Sequence, residues 1–234
     1  MNCFRCRDKG LLGGCPDCGK TLEFSGNAAV SLTRDILDSM NIPGYYQDME
    51  WNPEALRQEF PELGTHRLFN MYIDQLDKVY RIFASGQLPR RSAMIFAPAR
   101  RGKQIWAFSC MKHAIKHGYK VVPMLDTSEW RRLNIIATER AYIKDMSLYG
   151  CTMEDVVTAD VAFLTVDKDN FKGAYRAIES LLDKRQRRGK PTFVISRYSP
   201  EQISILDFEG TFKDAFDKTN RLNPMKYLGL IQGE

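Results

Sequence analysis

Ser92-Ala93-Met94-Ile95-Phe96-Ala97-Pro98-Ala99-Arg100-Arg101-Gly102-Lys103-Gln104 is the stretch on which the fold turns. The apolar run Ala93 to Phe96 reads as a short buried strand, and the spacing from Ile105 to His117 reads as a helix. Between them the chain makes a tight turn that ends in Gly102-Lys103, directly before the helix. A strand, a turn and a helix N-terminus carrying Gly-Lys make the layout of a phosphate-binding loop, where backbone N–H groups and a lysine face anionic oxygens. The chemistry is incomplete. Ala97 stands where such a loop begins with glycine, Arg100 and Arg101 fill the turn, and Gln104 replaces the Ser/Thr whose hydroxyl holds Mg2+. Taken alone, Gly-Lys before a helix is more often what a surface turn shows.

The sequence downstream supplies the context. Gly118 ends the helix, residues 119–125 read as a second strand, and Ser128 opens a helix running to about Asp145. Residues 160–166 form a third apolar run. Residues 171–188 follow with Ala174, Ala177, Ile178, Leu181 and Leu182 on one helical face, and 192–196 give a fourth strand. Strands that are nearly all apolar, alternating with helices, predict an α/β fold with a parallel sheet covered on both faces. Ligands in such sheets bind at the carboxyl ends of the strands, so residues 97–103, 167–170 and Ser196-Arg197 are expected to converge.

Upstream, Leu32, Ile36, Leu37 and Met40 recur at helical spacing until Asn41-Ile42-Pro43-Gly44 stops them. Tyr45, Tyr46 and Trp51 then form an aromatic group suited to packing on the neighbouring domain or to stacking on a base. Leu68, Met71, Tyr72, Leu76, Val79, Tyr80 and Phe83 mark the apolar stripe of a helix that faces a core. The expected organisation is a zinc ribbon over 1–22, a helical linker or N-terminal extension over 23–86, and a P-loop domain over 87–234.

The zinc expectation rests on spacing. Cys3-x-x-Cys6 and Cys15-x-x-Cys18 are paired knuckles, each able to place two thiolates on one tetrahedral ion at about 2.3 Å. Gly19, after the last cysteine, suits the positive-φ turn that lets backbone N–H groups approach sulfur. So short a segment buries no core, and the metal would supply most of its folding free energy. Four thiolates leave no open position for water, so the zinc is expected to be structural. A redox pair or unligated thiols are the other readings, and Cys110 and Cys151 read as core residues.

With 234 residues, 44% of them hydrophobic, the chain can bury a sizeable core. The net charge of +5, from 34 basic and 29 acidic residues, is too mild to demand a nucleic-acid partner, so placement matters more than the sum. Arg90, Arg91, Arg100, Arg101 and Lys103 flank the loop, whereas Lys184, Arg185, Arg187, Arg188 and Lys190 end a predicted helix, as a solvated face or a phosphate contact. No apolar run reaches membrane-spanning length and the first residues lack a signal-peptide core, which predicts a cytoplasmic protein without a membrane partner.

From about Ile42 to Leu222 the chain resembles the AAA+ replicative helicase loaders of the DnaC/DnaI type, whose relatives include the IstB transposition helpers. The likeness lies in order and spacing. Ile42-Pro43-Gly44-Tyr45-Tyr46 matches the family's Ile-Pro-x-x-Tyr lead-in, Gly118-Tyr119-Lys120-Val121 its second strand, and Asp160-Val161-Ala162-Phe163-Leu164 its third. The run Arg187 to Ser196 matches its basic helix end and Pro-Thr-apolar strand, and Asp8-Lys9-Gly10 between cysteine pairs also occurs in loader relatives.

The resemblance implies an AAA+-like domain that binds ATP and Mg2+, with Gly102, Lys103, Gln104 and Arg197 on the nucleotide. It places the arginine finger at Lys218 or Arg221. It also implies a hexameric replicative helicase and single-stranded DNA as partners, a homo-oligomeric state, and a bacterial or phage-infected cell. Arg100, Arg101, Arg187 and Arg188 are the DNA-contact candidates. The chain departs from the family at three catalytic places. Thr165 and Val166 occupy the positions of the acids after the third strand, leaving Asp167 and Asp169 as the only substitutes; Arg197 replaces the sensor asparagine, and Gln104 the hydroxyl. Together these groups are worth on the order of several kcal/mol in phosphoryl transfer, so little or no hydrolysis is expected. An active ATPase that tolerates the substitutions, and a zinc-ribbon DNA-binding or transposition helper without a helicase partner, are the competing readings.

Overall fold

The computed structural model describes residues 18–19, 30–129, 132–133, 150–166, 171–199 and 229–233. Within them, β1 (Ala93–Phe96), β2 (Ala162–Val166), β3 (Thr192–Ser196) and β4 (Gly229–Gln232) form one sheet in the order β2-β3-β1-β4. Every pairing is parallel, with Ile95 opposite both Ile195 and Ile231, and Leu164 opposite Val194. The expected second strand is reduced to two isolated bridges, Val121 to Val161 and Leu125 to Leu164, on the outer side of β2. Pro123 explains the gap: it has no N–H to give to a ladder. β4 was not foreseen, since only Leu230 and Ile231 in its four residues are apolar.

The helices are α1 (Arg34–Ser39), α2 (Gly44–Gln47), α3 (Pro53–Glu59), α4 (Arg67–Ala84), α5 (Lys103–Lys116), α6 (Met153–Thr158) and α7 (Phe171–Arg187). Residues 127–129 and 132–133 are also helical, in keeping with the helix expected from Ser128; the rest of that span lies outside the described residues.

Successive strand side chains point to opposite faces, and the core divides accordingly. Ala93, Ile95, Phe163, Phe193 and Ile195 pack with residues of α1 through α5, whereas Met94, Ala162, Leu164, Val166 and Val194 pack with α6 and α7. The first face is aromatic: Phe163 and Phe193 stack with centroids 5.3 Å apart, Trp106 meets Phe193 edge-on at 5.5 Å, and the Trp106 indole N–H donates to Leu76 O at 2.8 Å. That bond ties α5 to α4. The described part of the 23–86 segment reaches the sheet through Phe83, whose ring centroid lies 5.9 Å from those of Phe163 and Phe193, and Leu37, Met40, Trp51, Leu56 and Phe69 are buried in the same core.

Two sequence expectations change here. On α4 the buried face is Phe69, Tyr72, Ile73, Leu76 and Phe83, while Leu68 and Met71 are each 44% exposed, so the stripe is rotated from the expected one. Arg185, read as part of a basic helix end, is fully buried. Its guanidinium donates to Thr192 Oγ1 (2.8 Å), Ala159 O (2.9 Å), Pro191 O (2.8 Å) and Val156 O. Burial lowers its pKa to about 10, partly offset by Asp160, which leaves it charged at neutral pH. Arg185 is therefore a strut that satisfies the C-terminal carbonyls of α6 and joins α6, α7 and β3.

Candidate functional site

The turn between β1 and α5 folds because its two left-handed positions fall at Arg100 (φ 62°) and Gly102 (φ 73°). At Gly102 the need for glycine is double, since a Cβ there would sit 2.9 Å from Leu56 Cδ2 and 3.1 Å from Trp51. The turn is braced from outside the sheet. Tyr72, fully buried on α4, donates its hydroxyl to Arg101 O at 2.8 Å, and the Arg101 guanidinium lies 4.3 Å over the Phe60 ring. Burial raises the Tyr72 pKa strongly, against a small opposing pull from Arg101, so this hydroxyl stays a donor. From the other side, Gly233 N–H donates to Phe96 O at 2.8 Å, and its Cα lies so close to Ala97 and Tyr72 that a Cβ would fall within 2.8 Å of Ala97 Cβ.

Gly102 is the N-cap of α5 and offers no side chain to the first-turn N–H groups. Those donors, with the positive end of the helix dipole, are what an anion meets there. Lys103 is buried, and its ammonium lies over the loop, donating to Ala97 O at 2.5 Å and Pro98 O at 2.6 Å. Gln104 is turned toward the N-terminal helices, where its Oε1 accepts from the Tyr46 hydroxyl at 2.7 Å. Tyr46 packs at 4.9 Å on Phe108, and burial, then the neighbouring Tyr45, raises its pKa.

These residues border an open cleft of about 280 Å³ at the carboxyl end of the sheet. Residues 99–105 form one wall, and Thr165, Ile195, Ser196, Arg197 and Tyr46 complete it. The predicted convergence of the 97–103 loop with Ser196-Arg197 is present. Asp167 and Asp169 lie outside the described residues, as do Lys218, Arg221, Cys3, Cys6 and Cys15. Of the zinc segment only Cys18 and Gly19 are described; Gly19 has the positive φ expected of it, at 72°. Among the described residues no cluster of His, Cys, Asp or Glu is arranged to hold a metal.

The basic residues divide differently from their order in the chain. Arg90 and Arg91 precede β1, and Arg187 and Arg188 precede β3; the Thr192 N–H bond to Ser92 Oγ (3.0 Å) sets these strand starts side by side. In a parallel sheet that is the edge opposite the cleft. Arg187 and Arg188 are therefore apart from Arg100, Arg101 and Arg197, and they pair with Asp183 (3.0 Å) and Glu154 (3.5 Å). Lys190 likewise pairs with Asp160 at 2.7 Å.

Tyr46 and Thr165 line the cleft but were not in the sequence-derived site. A family-like Tyr after Ile42-Pro43 was visible, yet nothing local joins it to Gln104, 58 residues away. Its backbone is held by Lys112, a buried lysine on α5 that donates to Gln47 O (3.2 Å), Tyr46 O (3.4 Å) and Met49 O, and pairs with Glu50 at 3.3 Å. Glu50 also meets the Tyr80 hydroxyl at 3.1 Å and His113 at 3.4 Å. Half-burial pushes its carboxyl pKa up, but the His113 hydrogen bond and the Lys112 charge outweigh this and hold it below the usual range.

No protein-family model matches the chain, and no curated protein matches its sequence. Solved structures match its fold. A crystal structure of a DNA replication initiation factor aligns with 74% of this chain at 15% identity and a TM-score of 0.50. The matched region is 49% of that protein's chain, so the likeness spans about half its length and shows the fold. DnaI aligns over 69% of this chain and 82% of its own at 14% identity and a TM-score of 0.48. AMPPCP-bound DnaA from Aquifex aeolicus aligns over 72% and 48% at 12% identity and a TM-score of 0.47. The class defined here is thus a parallel-sheet α/β protein with a P-loop-like turn at the carboxyl edge. Among the described residues, no helix is long and apolar enough to cross a membrane.

Proposed function

We propose that the chain is a loader-like replication protein that holds a phosphate-rich ligand, a nucleotide in the first instance, with little or no hydrolysis. Its work is binding: a hexameric replicative helicase on one side and single-stranded DNA on the other. The observation that carries the reading is the cation-lined cleft, with Lys103 over the turn and Arg197 across from it, at the sheet edge where α/β proteins bind ligands. The fold shared with a DNA replication initiation factor supports it.

The residues present fit phosphate. The uncapped N-terminus of α5 offers N–H donors, Lys103 exchanges its loop carbonyls for phosphate oxygens, and Arg100, Arg101 and Arg197 add charge. They do not fit Mg2+. Gln104 stands at the hydroxyl position and is engaged by Tyr46, Thr165 occupies the place of an acid, and no described residue lining the cleft is a carboxylate. Phosphoryl transfer needs those groups to hold metal and align water. The Cys3, Cys6, Cys15 and Cys18 segment is proposed to hold a structural zinc and, with the neighbouring helix, to dock on the helicase; a homo-oligomer follows from matching a ring's symmetry.

Size-exclusion chromatography of the protein mixed with its cognate replicative helicase, with and without ATP, tests the reading. A co-migrating complex is expected. Intact single-stranded DNA binding with no complex under either condition would replace it with the adaptor reading.

A further inference from the structure

We infer that the cleft binds polyphosphate without a divalent metal, its arginines supplying the counter-charge that Mg2+ supplies in other phosphate-binding loops. This rests on the proposal that the cleft holds phosphate. Three observations support it.

First, the side chain after the loop lysine carries N–H donors in place of the hydroxyl that holds Mg2+. The Tyr46 hydroxyl takes one lone pair of Gln104 Oε1 at 2.7 Å, and the amide keeps both N–H donors, which attract phosphate oxygen. Second, positive side chains border the cleft from both sides. Arg100 and Arg101 stand in the turn, Lys103 at its end and Arg197 at the end of β3, while no described lining residue is acidic. A divalent cation placed among them meets repulsion with no carboxylate among the described lining residues to offset it, whereas a bare polyphosphate meets forked donors suited to bidentate contact. Third, the cleft is open. At about 280 Å³ it is at the lower end of ligand pockets, with room for a phosphate chain along the turn.

Isothermal titration calorimetry of the full chain with ATP and with inorganic tripolyphosphate, in excess EDTA and in excess MgCl2, tests this. Metal-free binding is expected for both ligands, with Kd changing less than about threefold between the two conditions. Arg197→Ala, at an exposed position, is expected to weaken metal-free binding about tenfold. The double variant Asp167→Ala/Asp169→Ala is expected to leave it unchanged.

Binding seen only with MgCl2, or lost in the aspartate variant, overturns the inference and leaves the phosphate reading standing. Unchanged metal-free affinity in Arg197→Ala overturns it too. No binding of either ligand under either condition overturns both. ATP bound without tripolyphosphate would assign the recognition to the nucleoside and refute a phosphate-chain cleft.

Discussion

Gly102 and Gly189 offer a controlled comparison of what the P-loop-like turn requires. Both have left-handed backbone, with φ of 73° and 64°, and alanine at either incurs a similar conformational cost of about 1 kcal/mol. Their surroundings differ. A Cβ at Gly189 meets nothing within 4 Å, whereas one at Gly102 falls 2.9 Å from Leu56 Cδ2 and 3.1 Å from Trp51 Cζ3. Leu56 and Trp51 are buried in the core, so they yield only by repacking, which adds about 1–3 kcal/mol. Gly189→Ala should thus lose about 1 kcal/mol and Gly102→Ala about 2–4 kcal/mol in urea unfolding. Phosphate binding should fall only in Gly102→Ala. Equal destabilisation of the two variants would refute the claim that residues 51–56 brace the turn.

Other perturbations separate the remaining elements. Ser109 has a fully buried hydroxyl without a hydrogen-bond partner among the described residues, so Ser109→Ala should be neutral or raise stability by up to about 1 kcal/mol in the same assay. Arg185→Met should lose about 3 kcal/mol or more, because it strands the carbonyls of Val156, Ala159 and Pro191; a loss below about 1 kcal/mol would contradict the strut role. The Glu50 carboxyl is held below its ordinary value of 4.5, so its contribution is fully present above that pH and is lost as pH falls through the lowered value. Glu50→Gln should therefore lower stability at neutral pH and flatten the acid limb below pH 4.5, as followed by fluorescence unfolding at stepped pH. Arg100→Ala/Arg101→Ala should weaken single-stranded DNA binding and reduce its logarithmic salt slope by about 1.4, as read by anisotropy across a salt series.

Local patterns made the sheet legible. Residues 192–196 are bounded by Pro191 and Arg197, and their apolar run left little choice but a buried strand. The carboxyl-edge position of Lys103 and Arg197 followed from the alternation of strands and helices, without knowledge of any contact. What escaped depended on distant partners. Tyr46 reaches the cleft on a segment whose carbonyls Lys112 holds, and a lysine in an apolar helix gives no sign of which carbonyls it will meet. The phase of α4 was misjudged for a related reason: Leu68 and Phe69 are both apolar, and only the sheet beneath decides which of them faces inward.

Among the described residues three cations are buried, Lys103, Lys112 and Arg185, and what holds them is common to all three sites. Lys112 satisfies carbonyls at the end of α2, Arg185 those at the end of α6, and Lys103 those just beyond β1. Each donates to backbone oxygens left over where an element stops, so carbonyl dipoles solvate the charge, with Glu50 added at Lys112. One of these arrangements is closed: Arg185 is walled in by α6 and β3. Lys112 borders an open cleft that Asp48 and Glu50 also line, whereas Lys103 borders one with no carboxylate among its described lining residues. Its exchange of Ala97 O and Pro98 O for a ligand oxygen gives up two charge-assisted bonds, each worth roughly 1.5–3 kcal/mol, so the ligand must return at least as much. A monoanion gains little from that exchange; a polyphosphate engaging Arg100 and Arg197 at the same time gains enough to complete it.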